Sequence, residues 1–242
     1  MIRINRPLLS AELDVRTKQL NGEIGAAADR VRHARGLWRR AQPRQSLRDL
    51  LLDAAPGISR CMYCGDNQGT DIDHHEPLSR NPLRTFDWLN HLLACSFCNS
   101  HGKGDQFPVD GRGQSLLIDP TVDDPADHLA LALSVGEYRP RTDKGHHTIA
   151  VLRLNRAVLV EGRQQARRVI ELALPGWHDA MRLGDPRRMN ECLLTIRMQP
   201  FAEVITAMLL AAVQPGAEVV FRHDPRLLRI LLEPRLRASL LN

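Results

Sequence analysis

Two pairs of cysteines constrain this chain more than any other feature of its sequence. Cys61-Met-Tyr-Cys64 and Cys95-Ser-Phe-Cys98 share the C-x-x-C spacing and enclose 30 residues. Each pair can offer two thiolates to one tetrahedral zinc ion, so together they close a site of four sulfurs with no position left for water. Such a zinc is structural and ties together a segment that has little core of its own. Four unrelated buried cysteines, or a redox pair, explain the repeated spacing less well.

The enclosed segment carries side chains suited to hydrolytic chemistry. It contains Asp71-Ile-Asp73-His74-His75-Glu76-Pro77 and Trp88-Leu-Asn90, and Asn99 and Lys103-Gly-Asp105 follow the second cysteine pair. Hydrolysis of a phosphodiester needs a deprotonated water and a cation that neutralises charge on the phosphate. A histidine can act as a base near neutral pH, and carboxylate oxygens are ligands that Mg²⁺ accepts.

This segment resembles the core of the HNH family of ββα-metal nucleases, in its four-cysteine form. That core runs from a C-x-x-C pair through Asp-His followed by Pro, then an Asn, to a second C-x-x-C pair that leads into Lys-Gly-Asp. Every element is present in this order over residues 61–105. The resemblance implies a metal-dependent endonuclease that cuts DNA. An RNA nuclease acting on a substrate such as tRNA, and a non-catalytic zinc-stabilised module that binds nucleic acid or protein, are the alternatives.

The resemblance also implies a role for each residue of the motif. His74 is the expected general base. Asp73 is expected to act in catalysis as a ligand of the metal ion, with Asn99 as its partner ligand, and Asn90 is expected to orient the loop that carries the base. Many relatives have His in place of Asn99, and a carboxylate combined with an amide favours Mg²⁺ or Mn²⁺ over softer metals.

Four basic side chains are candidates for contacts with nucleic acid: His101, Lys103, Arg39 and Arg40. Lys103 is either a phosphate contact or a plain surface lysine, and the basic run at 30–40 is either a phosphate-facing helix or a solvated helix face around Trp38. Residues 1–60 carry 12 Lys and Arg against 6 Asp and Glu, whereas residues 61–110 carry 3 against 7. Because the core is acidic, the flanks or a partner must attract the phosphates.

The similarity extends beyond the motif to HNH nucleases of bacterial anti-phage defence. It is carried by Asp119-Pro, Asp123-Asp-Pro and Leu154-Asn-Arg, and by the opening Ile2-Arg-Ile-Asn-Arg-Pro. The nearest group is the PtuB-like nucleases of the Septu system and their retron-linked relatives. In those systems the nuclease works beside an ATPase subunit, so the resemblance implies such a partner here.

The predicted fold is α+β and mainly α, with a ββα-metal core between helical flanks. We divide the chain into an N-terminal helical region (1–57), a nuclease core with zinc knuckles (58–110) and a mainly helical C-terminal region (111–242). Apolar spacing predicts one or two helices over 8–41, because Asn21-Gly22 and Gly25 weaken the middle and favour a break there. It also predicts helices from Thr148 onward, with a break at Pro175-Gly176. We expect the N-terminal helices to pack on the C-terminal ones.

Composition excludes several other classes of protein. Hydrophobic residues make up 43% of the chain, enough for a core, and aromatic residues make up 4%, too few to read single strands by base stacking. No secretory signal is visible at the N-terminus, and the longest apolar run, at 204–213, is too short to span a bilayer. We therefore expect a soluble, cytoplasmic protein with no membrane partner.

Overall fold

The computed structural model describes residues 1–55 and 57–241, and it begins with three helices. These are α1 (Ala11–Ala26), α2 (Arg30–Arg40) and α3 (Pro43–Ala54). Ser10 and Asp29 cap α1 and α2, each accepting a hydrogen bond from an amide of the first turn. The break therefore lies at residues 27–29. The chain thus forms two helices over 8–41, one of the two predicted possibilities, but α1 continues through Asn21-Gly22 and Gly25 because Leu20 and Ile24 are both buried and hold it together there.

The first ten residues lie against the segment that the cysteines enclose. The amide of Ile4 donates to the carbonyl of Pro120 at 2.8 Å. Arg6 donates at 2.7 Å to the carbonyls of both Trp88 and His91, and its guanidinium stacks over the Trp88 ring at 4.9 Å. These contacts fix the backbone at residues 88–91, where a strand begins.

A hairpin of two short strands carries the Asp-His pair. β1 (Asp71–His74) pairs antiparallel with β2 (His91–Ala94), which places Asp73 opposite Leu92 and His74 opposite His91. A π-helical turn at Phe97–Lys103, here called the knuckle helix, follows β2 and contacts both strands. Two strands and one helix therefore meet where the cysteine pairs converge.

A loop at 104–124 follows the knuckle helix, and the described chain after it contains a second hairpin and otherwise mainly helices. After α4 (Pro125–His128), β3 (Leu129–Ala132) pairs antiparallel with β4 (Glu137–Pro140). The helices that follow are α5 (Asp143–Val151), α6 (Ala157–Leu183), α7 (Pro186–Met198), α8 (Glu203–Ala211), α9 (Ala217–Val220), α10 (Pro225–Leu231) and α11 (Pro234–Leu241). This mostly helical structure with small two-stranded sheets confirms the predicted α+β, mainly α class.

Helix α6 continues through Pro175-Gly176, so the break predicted there is wrong. A proline inside a helix removes one backbone hydrogen bond and crowds the preceding turn. Leu174 and Trp177 are both 0% exposed on either side of this point. Burial of such large side chains is worth several kcal/mol, which offsets the local cost.

Two hydrophobic clusters organise the molecule. The main core takes up residues from all three predicted regions, including Leu51, Leu93 and Trp177. A smaller cluster of Leu20, Ile24, Ala34 and Phe86 lies between α1, α2 and the loop that joins β1 to β2. Helices α1 and α2 thus pack on each other and on this loop, at its helical turn 82–84. Of the N-terminal helices, α3 shares the main core with the C-terminal helices through Leu51.

Within residues 1–55 and 57–241, no single helix combines the length and the apolar character needed to cross a bilayer. Helices α7 and α8 reach that length and character only as a pair, which is bent by 110°.

Candidate functional site

Four cysteine side chains converge beside the first hairpin. The sulfur atoms of Cys61, Cys64, Cys95 and Cys98 all lie within 4.8 Å of one another, and all four residues are buried. A tetrahedral zinc with bonds of about 2.3 Å to sulfur sets its sulfur atoms about 3.8 Å apart. The Cys64 and Cys95 sulfurs are 3.9 Å apart, which fits this geometry. The four buried cysteines are therefore positioned to bind a metal ion, as predicted.

A buried network of charges braces the first cysteine pair against the C-terminal helices. Gly65 follows that pair with φ +84°, and a Cβ there would lie 2.5 Å from a carboxylate oxygen of Glu203, so glycine is needed. Glu203 is 3.3 Å from the Arg163 guanidinium and 3.4 Å from the Met1 amino group. Burial works against ionisation, but the amino group and the guanidinium together hold the pKa of Glu203 below its ordinary value.

A backbone carbonyl orients the imidazole of His74. Its Nε2 is 2.9 Å from the carbonyl oxygen of Thr85, and Nε2 of His91 is 2.8 Å from the same oxygen. Because a carbonyl oxygen only accepts, both rings carry their hydrogen on Nε2. In the described part of the chain, Nδ1 of His74 makes no hydrogen bond, so its lone pair is left to accept a proton.

Trp38 of α2 covers His74. The two ring centroids are 4.5 Å apart in an edge-on contact, and the Trp38 ring also packs on His91 and Phe86. His74 is 8% exposed, and this burial lowers its pKa to about 4. The imidazole is thus neutral near pH 7 but shielded from a large substrate. The sequence suggested Trp38 as an anchor for α2, without indicating its partner.

Asn90 closes the loop between β1 and β2. Its Oδ1 accepts from the Glu76 amide at 2.8 Å, and its Nδ2 donates to the carbonyls of Glu76 and Arg84 at 3.0 and 3.1 Å. Arg84 directly precedes Thr85, whose carbonyl orients His74. The expected loop-orienting role of Asn90, a residue with 0% exposure, would act through these three bonds.

Asp73 is buried between two donors. The Tyr63 hydroxyl donates to Oδ2 at 2.6 Å, and the Lys103 ammonium lies 3.1 Å from Oδ1 and 2.7 Å from the carbonyl oxygen of His74. Burial raises the pKa of Asp73, while the ammonium and the hydroxyl work against that rise. Lys103 is 1% exposed, so it lies inside the site and not at the surface, where both readings of the sequence had placed it.

The two expected ligands of a catalytic ion, Asp73 and Asn99, lie on β1 and on the knuckle helix, two elements that contact each other. Their joint binding of an ion stays a prediction. Both oxygens of Asp73 are already engaged by Tyr63 and Lys103. Mg²⁺ requires oxygen ligands at about 2.0–2.1 Å in near-octahedral geometry. A divalent ion therefore does not fit at Asp73 while Lys103 is in this position.

The other candidates for contacts with nucleic acid lie at the surface. His101 is exposed, with its ring stacked on Phe97 at a centroid distance of 6.1 Å. Arg39 and Arg40 are exposed at the end of α2. Arg39 lines an open groove on the outer side of that helix with other arginines of α2. All three side chains are accessible to a polyanion.

Buried histidines give the fold a predictable dependence on pH. Burial lowers the pKa of His74 and His75 to about 4, and that of His91 well below its ordinary value. An unfolded chain protonates its histidines near pH 6.5, so between pH 6.5 and 4 the unfolded state binds more protons. The free energy of unfolding should therefore fall as pH falls through this window, by on the order of 2–3 kcal/mol for each of His74 and His75.

Urea unfolding of the metal-loaded chain at pH 7.5 and pH 5.5 measures this dependence. The His75→Gln variant loses one titrating group and should lose less stability over the interval than wild type. His101→Gln changes an exposed histidine and serves as the matched control, which should follow wild type. Equal losses in His75→Gln and wild type would contradict the prediction.

A curated protein shares part of this sequence. The chain is 31% identical over 98 residues to Septu protein PtuB of Bacillus mycoides (strain KBAB4), a stretch that covers 35% of this chain and 33% of that protein. The matched part is thus about a third of the curated relative's length. No protein-family model matches the chain.

Proposed function

We propose that this protein is an endonuclease of the HNH type that hydrolyses phosphodiester bonds, with DNA as the first-choice substrate. The observation that carries the proposal is the arrangement of His74. Its imidazole is neutral and oriented by the Thr85 carbonyl, and it lies beside Asp73 on a hairpin that four cysteines close. The partial similarity to a Septu protein supports a role in anti-phage defence. An ATPase subunit is the partner that the resemblance of the motif implies.

His74 is the general base in the proposed reaction. Its Nδ1 takes a proton from a water molecule as the water oxygen attacks phosphorus, and the bond from phosphorus to the leaving oxygen breaks. The leaving oxygen takes a proton from solvent. The Nε2 hydrogen stays bonded to the Thr85 carbonyl, which favours the imidazolium that forms. Asn90 keeps this carbonyl in place through its bond to the neighbouring Arg84.

Two metals belong to the proposal, in different roles. Zinc, held by the four cysteines, is structural and keeps the hairpin and the knuckle helix together. Asp73 and Asn99 have the ligand types that suit Mg²⁺ or Mn²⁺, and such an ion would neutralise charge on the phosphate. Because an ion does not fit at Asp73 beside Lys103, none of the steps above depends on it.

Substrate must displace Trp38 to reach His74, and this gives a direct prediction. In Trp38→Ala, His74 should react with diethylpyrocarbonate severalfold faster than in wild type, because the ring that covers it is gone. The pKa of His74 should also rise from about 4 toward its ordinary value, since burial is what lowers it. Mass spectrometry of the modified peptides measures the rate at this histidine.

Arg39→Ala is the control for this experiment, because it changes an exposed side chain of the same helix. Its rate of modification at His74 should match that of wild type. A Trp38→Ala variant that retains its zinc and reacts no faster than wild type would show that Trp38 does not shield the base.

The proposed activity is tested by incubating the zinc-loaded protein with labelled DNA and labelled RNA, in Mg²⁺, in Mn²⁺ and in EDTA. Cleavage of DNA in preference to RNA is the expected result, and the reverse preference would favour an RNA nuclease. If wild type and His74→Ala both bind nucleic acid and neither cleaves it, a non-catalytic module would be favoured.

A further inference from the structure

We propose that Lys103 is a built-in cation for Asp73, which competes with a divalent metal ion for this carboxylate and must leave before the ion can bind. The inference deepens the proposed function, because it concerns the metal requirement of the same site. It rests on two features of the buried Asp73: the contacts of its oxygens and the position of the ammonium.

The contacts of Asp73 make a cation necessary. Its side chain is 3% exposed, and a buried carboxylate is strongly unfavourable unless it is paired. The Tyr63 hydroxyl, at 2.6 Å from Oδ2, supplies a hydrogen bond but no charge. Among the described residues, Lys103 alone forms an ion pair with Asp73. The carboxylate therefore depends on this ammonium while no other cation is present.

The ammonium occupies the kind of position that a metal ion takes. It lies between a carboxylate oxygen, at 3.1 Å, and the backbone carbonyl oxygen of His74, at 2.7 Å. Carboxylate and carbonyl oxygens are the ligands that hard divalent cations prefer. Two cations cannot share this space, because the ammonium and the ion would repel each other at close range in a poorly solvated site.

Lys103 is the last residue of the knuckle helix, and Gly104 follows with φ +52°, a conformation that favours glycine. The Lys103 side chain is 1% exposed, so the ammonium can leave Asp73 only if its flexible stem and the side chains around it rearrange. Re-solvation of the ammonium would restore its hydration, and the incoming ion would take over neutralisation of Asp73.

The test is a titration of the zinc-loaded chain with Mn²⁺, followed by electron paramagnetic resonance and by the Mn²⁺-induced rise in melting temperature. Lys103→Met should bind Mn²⁺ at least tenfold more tightly than wild type and should gain more thermal stability from it. Adding Asp73→Asn to Lys103→Met should abolish this binding. Lys103→Gln, which keeps a hydrogen-bond donor without charge, is the second variant and should behave like Lys103→Met.

Lys144→Met is the matched control, because it removes a half-buried ammonium that pairs with Asp123 at 2.9 Å, away from Asp73. Its Mn²⁺ affinity should equal that of wild type, and zinc content reports folding in every variant. Equal Mn²⁺ affinity in wild type and in both Lys103 variants overturns the inference, as does tighter binding that survives Asp73→Asn.

Failure of this inference is distinguishable from failure of the proposed function. If cleavage depends on His74 but Lys103→Met leaves the Mn²⁺ affinity unchanged, the proposed nuclease function is supported and the proposed competition between Lys103 and the metal ion is contradicted. If Lys103→Met binds Mn²⁺ more tightly but no variant hydrolyses DNA or RNA, the proposed competition is supported and the proposed nuclease function is contradicted.

Discussion

Cys95→Ser is expected to lose the bound zinc and most of the ordered structure around the first hairpin. The hairpin has strands of four residues each, which are too short to be stable by themselves. Zinc binding to such sites contributes on the order of 10 kcal/mol to folding, comparable to the whole stability of a domain. Loss of one thiolate is therefore expected to cost more free energy than the other contacts of the hairpin and its neighbours supply.

Zinc content by elemental analysis and a urea unfolding curve measure this effect. Wild type should carry about one zinc for each chain and unfold cooperatively, whereas Cys95→Ser should carry little zinc and aggregate or unfold at much lower urea. Cys192→Ser is the matched control, because Cys192 lies on α7, outside the cluster. A Cys95→Ser protein that keeps wild-type stability after treatment with a chelator would show that the four cysteines do not hold the fold together.

His74→Ala is expected to reduce the rate of phosphodiester hydrolysis by a factor of about 10² to 10⁴, the usual contribution of a positioned general base. The fold should survive, since the ring lies at the edge of the smaller cluster and no cysteine contact depends on it. While Trp38 covers His74, the pKa of this histidine is about 4, so the base form predominates throughout the neutral range before substrate binds.

Single-turnover cleavage of a labelled duplex measures the rate, with zinc content as the check on folding. His146→Ala is the matched control, because His146 is an exposed histidine of α5 with no part in the proposed reaction. It should retain most of the wild-type rate. A His74→Ala protein as active as His146→Ala would remove His74 from the mechanism.

Features set by spacing along the chain are predictable from the sequence. The two C-x-x-C pairs predict a cluster of four buried cysteines, and these sulfurs do lie within 4.8 Å of one another. The mainly helical α+β class also follows from the apolar pattern, and it is confirmed. Both features depend on short-range rules that tertiary packing reinforces.

Features set by burial are not predictable in this way. The break expected at Pro175-Gly176 is absent, and the one expected around Asn21-Gly22 and Gly25 lies later, at 27–29, because buried side chains keep the helices continuous at the expected points. Local propensity costs about 1 kcal/mol for glycine and about 3 kcal/mol for proline, less than the burial of several large side chains. A single sequence does not give the size of that burial.

The same reason explains the two unexpected contacts of the candidate site. Trp38 lies 36 residues before His74, and Lys103 lies 30 residues after Asp73, yet each pair is in direct contact. Nothing in the spacing of these residues indicates that a tryptophan covers the base or that a lysine neutralises the carboxylate. Both contacts depend on how α2 and the knuckle helix pack on the hairpin.

Cleavage of supercoiled plasmid DNA by wild type and by His74→Ala, at equal zinc content, tests most directly whether the hairpin is a hydrolytic site. Wild type should convert the plasmid to nicked and linear forms, and His74→Ala should leave it supercoiled over the same time. Equal conversion of the plasmid by the two proteins would contradict the assignment of this site as a nuclease centre. So would a wild-type protein that cleaves neither plasmid DNA nor RNA.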